Sequence, residues 1–152
     1  MIVSTRIEFN VEFYDLDPMQ VVWHGNYIKY FEKARCALLD KIGYGYPAML
    51  ASGYAFPVTN VSVKYISSLR IGDRVQARAF LDEYENCLKI KYELYNAQTG
   101  ELCTKGVSTQ MAYNIASASS CFVSPQIFID KVEALMRGEA EEIGEVELKN
   151  EV

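Results

Sequence analysis

A single stretch of helical periodicity, set among stretches that alternate every second residue, most constrains what this chain can fold into. Tyr27, Tyr30, Phe31, Ala34, Leu38 and Ile42 recur at intervals of three and four, and Ile28, Ala37 and Leu39 widen the apolar arc. A helix apolar over so broad an arc has to be enclosed by the rest of the fold. Before it, Ile7, Phe9, Val11 and Phe13 alternate with Glu8, Asn10, Glu12 and Tyr14, the pattern of a strand with one buried face. After it, strand patterns run over Val58–Tyr65, Arg74–Tyr84, Cys87–Asn96 and Glu101–Tyr113. Ile71-Gly72-Asp73, Glu85-Asn86 and Gln98-Thr99-Gly100 separate them, and turns so short favour hairpins and an antiparallel meander. The fold class read from this is α+β, with an antiparallel sheet wrapped around one long central helix.

Boundary signals refine the outline. Asn26 suits the N-cap of the helix and Gly43 its C-terminal stop. The segment from Gly43 to Pro57 reads as a loop with a short helical turn, and Pro125–Met136 as a short terminal helix. Residues 1–138 then form one domain, and residues 139–152 an acidic, flexible tail. The 152 residues fit a single domain. The formal charge of −5 argues against nonspecific nucleic-acid binding, which needs clustered Lys and Arg. No apolar run approaches the roughly 20 residues that span a bilayer. The N-terminus lacks the pattern of a secretory signal. Cys36, Cys87, Cys103 and Cys121 have no close spacing and read as small apolar side chains rather than disulfides, so the protein is expected in the cytoplasm.

Chemistry concentrates between Tyr14 and Tyr27, which hold two carboxylates, the only histidine and the only tryptophan. One histidine and scattered cysteines give no metal site within one subunit. P-loop and dinucleotide-binding patterns are absent. A Ser-His-Asp triad would have to use His24, without a nucleophile-elbow motif to support it. Asp15 and Asp17, two apart, share a side in extended chain. Apolar neighbours there can desolvate one of them and raise its basicity, suiting it to act as general base or nucleophile. Unpaired N–H groups from His24 to Ile28, at the positive end of the helix, can meet a carbonyl oxygen. Acyl transfer needs that pairing. Plainer roles stand beside each of these. The aspartates can cap a turn before Pro18. His24 can be a structural group beside Trp23, its backbone N–H mattering more than its imidazole. Glu32, three residues before Arg35, pairs with it by default, although apolar neighbours leave a site-facing alternative open. Tyr27, Tyr30 and Phe31 suit a core better than a ligand wall.

The pattern Tyr14-x-x-Asp17-Pro18, Val21-Val22-x-His24-x-Asn26-Tyr27-x-x-Tyr30-x-Glu32-x-x-Arg35 resembles the 4-hydroxybenzoyl-CoA thioesterase family of hotdog-fold acyl-CoA thioesterases. The resemblance continues through Gly53, Val61-x-Val63-x-Tyr65 and Leu69-x-x-Gly72-Asp73-x-Val75. It implies the hotdog fold, acyl-CoA as substrate, no cofactor, and homodimers with joined sheets, often paired into homotetramers, whose sites lie between subunits. It places catalysis on Asp17, assisted by His24, and the oxyanion donor at the helix start. Gly25, Asn26, Tyr27 and Glu32 become substrate-binding positions, and Asp15 a supporting residue. A non-catalytic acyl-CoA-binding protein, or a hydratase on the same fold, are the alternatives. Two departures stand out. Met19-Gln20 occupy positions where many relatives have small residues, often Gly, so a narrowed pocket or a reshaped loop is expected. The region that holds CoA phosphates in some relatives is acidic here (Glu83-Tyr84-Glu85-Asn86-Cys87), with Lys64, Arg70, Arg74 and Lys89 as possible substitutes.

Overall fold

The computed structural model describes residues 3–151, with side chains described through Gly138. Strand β1 (Ser4–Asn10) leads through a 3-10 turn (Phe13–Asp15) to helix α1 (Asn26–Ile42). A short helix α2 (Tyr46–Ala51) and strand β2 (Tyr54–Ala55) come next, then β3 (Val58–Tyr65), β4 (Arg74–Glu83), β5 (Leu88–Asn96) and β6 (Leu102–Gln110). Strands β7 (Tyr113–Asn114) and β8 (Ser119–Ser120) precede helix α3 (Gln126–Glu151). Five strands form one antiparallel sheet in the order β1-β4-β5-β6-β3, and β2-β7-β8 form a small second sheet.

The alternation expected of the strands is present. Val75, Ala77, Ala79 and Leu81 of β4 and Leu88, Ile90, Tyr92 and Leu94 of β5 are buried under α1, with the residues between them facing outward. Small residues let the helix descend onto the sheet. Ala77 and Ala79 lie in the buried row, and a Cβ on Gly106 of β6 would run into the ring of Phe31. Phe31 itself stacks on Tyr92, ring centres 4.6 Å apart and 14° from parallel. Of the wide apolar arc read from the sequence, Tyr27, Tyr30, Phe31, Ala34, Leu38, Leu39 and Ile42 are buried, whereas Ile28 is exposed and Ala37 half-buried. Gly43 ends the helix in the left-handed conformation (φ 83°), as its position predicted. Beyond it, Tyr44, Phe56 and Phe128 pack as an aromatic cluster with centres 5.4–5.9 Å apart, joining α3 to the body.

Three outcomes differ from expectation. Strands β4, β5 and β6 form the meander, but β3 pairs with β6 at the far edge, so the Ile71-Gly72-Asp73 turn closes no hairpin. Residues 66–73 instead cross the end of the sheet, a span of three strand spacings, about 14 Å, within easy reach of eight residues. Helix α3 runs past Met136 and Gly138, because Glu, Ala, Leu and Lys dominate its C-terminal half and favour helix strongly enough to carry it through glycine. The expected acidic tail falls where side chains lie outside the described residues. The Gly43–Pro57 loop holds both α2 and β2. The four cysteines are free, and no helix among the described residues is long and apolar enough to cross a membrane.

Helix α1 lies over β1, β4 and β5, which leaves β3 exposed on both faces along most of its length. The close approach at Gly106 gives a direct test of the packing. Gly106→Ala must displace the Phe31–Tyr92 stack, and overpacking of this kind should lower stability by about 1–3 kcal/mol in chemical denaturation.

Candidate active site

The junction between β1 and α1 is organised by Asp15. Its Oδ2 accepts from the Tyr30 hydroxyl at 2.8 Å and from the Glu12 N–H at 3.0 Å. Its carbonyl accepts from the Trp23 N–H at 2.9 Å and from Asn26 Nδ2 at 2.8 Å. Burial, and then the bond to Asp15, push the Tyr30 phenol far above the ordinary tyrosine range, so it remains a donor. The 3-10 turn breaks the extended chain, and Asp15 and Asp17 therefore do not act from one side. Asp15 turns to the helix and Asp17 to a neighbouring cleft.

Contrary to the expectation from its type, Asn26 does not cap α1. It is the first helical residue, comes after Gly25, and spends its side chain on the Asp15 carbonyl. The helix start carries no side-chain cap, and the N–H groups of His24 and Gly25 meet no acceptor among the described residues. The indole of Trp23 folds over Gly25, and a Cβ there would have to displace it.

Asp17 sits in a tight loop. Its N–H donates to the Val21 carbonyl at 2.8 Å, its carbonyl accepts from Gln20 at 3.0 Å, and its Oδ1 accepts from the Met19 N–H at 2.8 Å. Leu16 bridges to Val22 and Val21 to Arg70, which anchors the loop to the crossing segment. Gln20 adopts φ 67°, the left-handed region that glycine occupies without a steric penalty. Neither Met19 nor Gln20 lines the cleft, so the departure expected at these positions appears as loop conformation.

The cleft, about 320 Å³, brings together Asp17, His24 and Tyr27 with Tyr65, Ser67 and Ser68. Tyr65 at the end of β3 donates to the His24 carbonyl at 2.8 Å, fixing the helix start from the far edge of the sheet. The Tyr27 hydroxyl accepts from the Leu69 N–H at 3.1 Å and keeps its own hydrogen to donate. Burial raises its pKa, so that hydrogen stays on. Gly25, Asn26 and Glu32 do not line the cleft. Glu32 pairs with Arg35 and accepts from the Tyr46 hydroxyl at 3.1 Å, its default role by spacing. Tyr65, Ser67 and Ser68 were not singled out as site residues in the sequence, because only the crossing of residues 66–73 carries them back to Asp17. Chemically, the cleft offers a half-buried carboxylate, an imidazole, hydroxyl groups and an uncapped helix start. It can pair a base with donors for a developing oxyanion.

Residues 11–135 match the family described as the thioesterase-like superfamily. The chain belongs to that superfamily. This thioesterase-like protein is 29% identical over 108 residues to the putative acyl-CoA thioesterase YneP of Bacillus subtilis, covering 70% of this chain and 78% of that one. Among solved structures, the DHNA-CoA thioesterase of Staphylococcus aureus superposes with a TM-score of 0.78 at 27% identity, covering 93% of this chain and 94% of that one. A 4-hydroxybenzoyl-CoA thioesterase superposes with a TM-score of 0.74 at 14% identity over 85% of this chain and 98% of that one, a likeness of fold alone. The fold is the hotdog fold, as the residue pattern implied.

The loop and helix of this thioesterase-like protein give two stability tests. Gln20→Gly should relieve the left-handed backbone and raise stability by up to about 1 kcal/mol, less what the freer unfolded chain takes back. Glu32→Ala should destabilise by roughly 2–3 kcal/mol, because it strands the buried Arg35 charge while Glu32 itself is partly solvated. Urea titration reads both.

Proposed function

We propose that this protein hydrolyses acyl-CoA thioesters to a carboxylic acid and free CoA, with Asp17 as base or nucleophile. The observation that carries the reading is one cleft holding the Asp17 carboxylate beside a helix start whose His24 and Gly25 N–H groups are unengaged. The names of its relatives agree with it: YneP, and the acyl-CoA thioester hydrolase YbgC of Escherichia coli.

In this mechanism the thioester carbonyl oxygen lies against the His24 and Gly25 N–H groups, aided by the positive end of α1. Asp17 takes a proton from water as it attacks, or attacks the carbonyl carbon itself to give an anhydride that water then opens. In either route the carbon–sulfur bond breaks when the oxyanion collapses, and the departing thiolate gains a proton near the His24 imidazole. Tyr27 shapes the cleft, Gly25 and Asn26 shape the helix start, and Glu32 is held by Arg35 and Tyr46 away from the cleft. No cofactor is involved. Within the superfamily, the motif from Tyr14 to Arg35 supports a place with the 4-hydroxybenzoyl-CoA group. The exposed β3 edge is the surface through which two copies join their sheets, such dimers pairing into tetramers in the cytoplasm.

Thiol release measured over short, long, branched and aromatic acyl-CoAs tests this. Asp17→Asn should lose at least about a hundredfold in kcat with its circular dichroism unchanged. A variant as fast as the wild type would remove Asp17 from the chemistry. Saturable binding of CoA esters with no turnover of any would make the protein a binder.

A further inference from the structure

The outward face of the five-stranded sheet carries a charge pattern that the cleft does not use. Register places Arg6 opposite Arg78, Arg78 opposite Glu93, Glu93 opposite Lys105, and Lys105 opposite Lys64. Each strand thus gives one charged residue to a straight row of four cations and one carboxylate. At about 4.8 Å between strands, the row is about 19 Å long. It stands on a chain of net charge −5, so its sign does not come from composition.

Like charges directly opposite each other destabilise a sheet, and this row contains two such pairs. The first is relieved within the protein. Arg78 lies over the Tyr95 ring at 4.5 Å and donates to Gln76 at 2.8 Å. The carboxylate of Glu93 is already engaged by the Tyr95 hydroxyl at 2.8 Å. The second pair is not relieved by any direct contact. Lys64 and Lys105 make no hydrogen bond and no ion pair within 4 Å among the described residues, although Glu93 stands across the ladder from Lys105. Both line a groove of about 620 Å³ with Phe80, Val107, Asp82 and Glu93; Lys91, which register sets between Phe80 and Val107, is drawn to Asp82 at 3.5 Å.

We propose that this groove holds the phosphorylated nucleotide end of a CoA ester, with Lys64 and Lys105 on the phosphates and Phe80 and Val107 against the base. The inference rests on the thioesterase reading of the cleft. Apolar side chains beside paired cations are the complement of a planar base carrying phosphates. Strand β3 links the two places: Tyr65 lines the cleft, and Lys64, the residue before it, lines the groove on the opposite face.

Calorimetric titration with 3′-phospho-ADP, which has the base and phosphates but no thioester, tests the site without any hydrolysis. Lys64→Glu and Lys105→Glu should each weaken binding about tenfold, and added salt should weaken it in the wild type. Lys33→Glu, which makes the same charge change on the helix, should bind as the wild type. In hydrolysis, the two groove variants should raise KM for acyl-CoA at unchanged kcat and leave acyl-pantetheine, which lacks the nucleotide, unaffected. Wild-type titration by both groove variants, or an equal rise in KM for both substrates, would overturn the proposal. Lysine-dependent nucleotide binding in a protein that hydrolyses no CoA ester would sustain the groove and reject the thioesterase reading. Hydrolysis with an unmoved KM would do the reverse.

Discussion

The Asp15 side chain and carbonyl together receive four hydrogen bonds, and the arrangement of the site depends on them. They join the turn after β1, the segment before α1, and the buried face of α1 at Tyr30. Hydrogen bonds to a charged group contribute about 1.5–3 kcal/mol each when well shielded, and Tyr30 is almost wholly buried. The loop that presents Asp17 begins two residues later. Its position over the helix start is therefore set by a fastening inside the fold rather than by the loop itself. The same fastening leaves the helix start open. Asn26, a residue type that caps helices well, is drawn back to the Asp15 carbonyl, and nothing else among the described residues takes the N–H groups of His24 and Gly25. An absent cap costs about 1 kcal/mol, and the left-handed Gln20 a similar amount. Both local costs fall within a few residues of Asp17, where departures from the rules of stable structure are expected of a functional site.

The sheet has a complementary part. Ala77, Ala79 and Gly106 are small where α1 descends, and the helix sits off-centre over β1, β4 and β5. Strand β3 is left as an open edge with work on both of its faces. Tyr65 reaches the His24 carbonyl on the helix side, while Lys64 stands opposite Lys105 on the other. Because the two residues are adjacent, their faces are opposite by the geometry of a strand. The two proposals together put the thioester and nucleotide ends of one ligand on two sides of a single strand.

Much of this was legible in the residues. The broad arc from Tyr27 to Ile42 needed an enclosing sheet and has one, and Gly43 stops the helix where its type says it should. The motif around Asp17 and His24 pointed to the cleft that holds both. What escaped was set by contacts distant in sequence. Period-two patterning identifies β3 as a strand but carries no information on its neighbour, so its place beside β6 could not be read, nor could the return of Ser67 and Ser68 to Asp17. Asp15 and Asp17 share a side only while the chain stays extended, and the 3-10 turn removes that condition. Asn26 had the right type for a cap, but an acceptor eleven residues earlier competed for its side chain. The charged row is likewise invisible until register aligns Arg6, Arg78, Glu93, Lys105 and Lys64, which come from five separate strands.

The proposed mechanism turns on a thioester carbonyl lying against the uncapped start of α1. Vibrational spectroscopy of an acyl-CoA carrying a carbon-13 label at that carbonyl, bound to Asp17→Asn so that it survives, reads the contact directly. Hydrogen bonds from His24 and Gly25 should polarise the carbonyl and shift its stretch to lower frequency than in water. A bound ester whose carbonyl stretch stays at or above its value in water would show that the helix start does not engage it, and the mechanism built on that contact would be wrong.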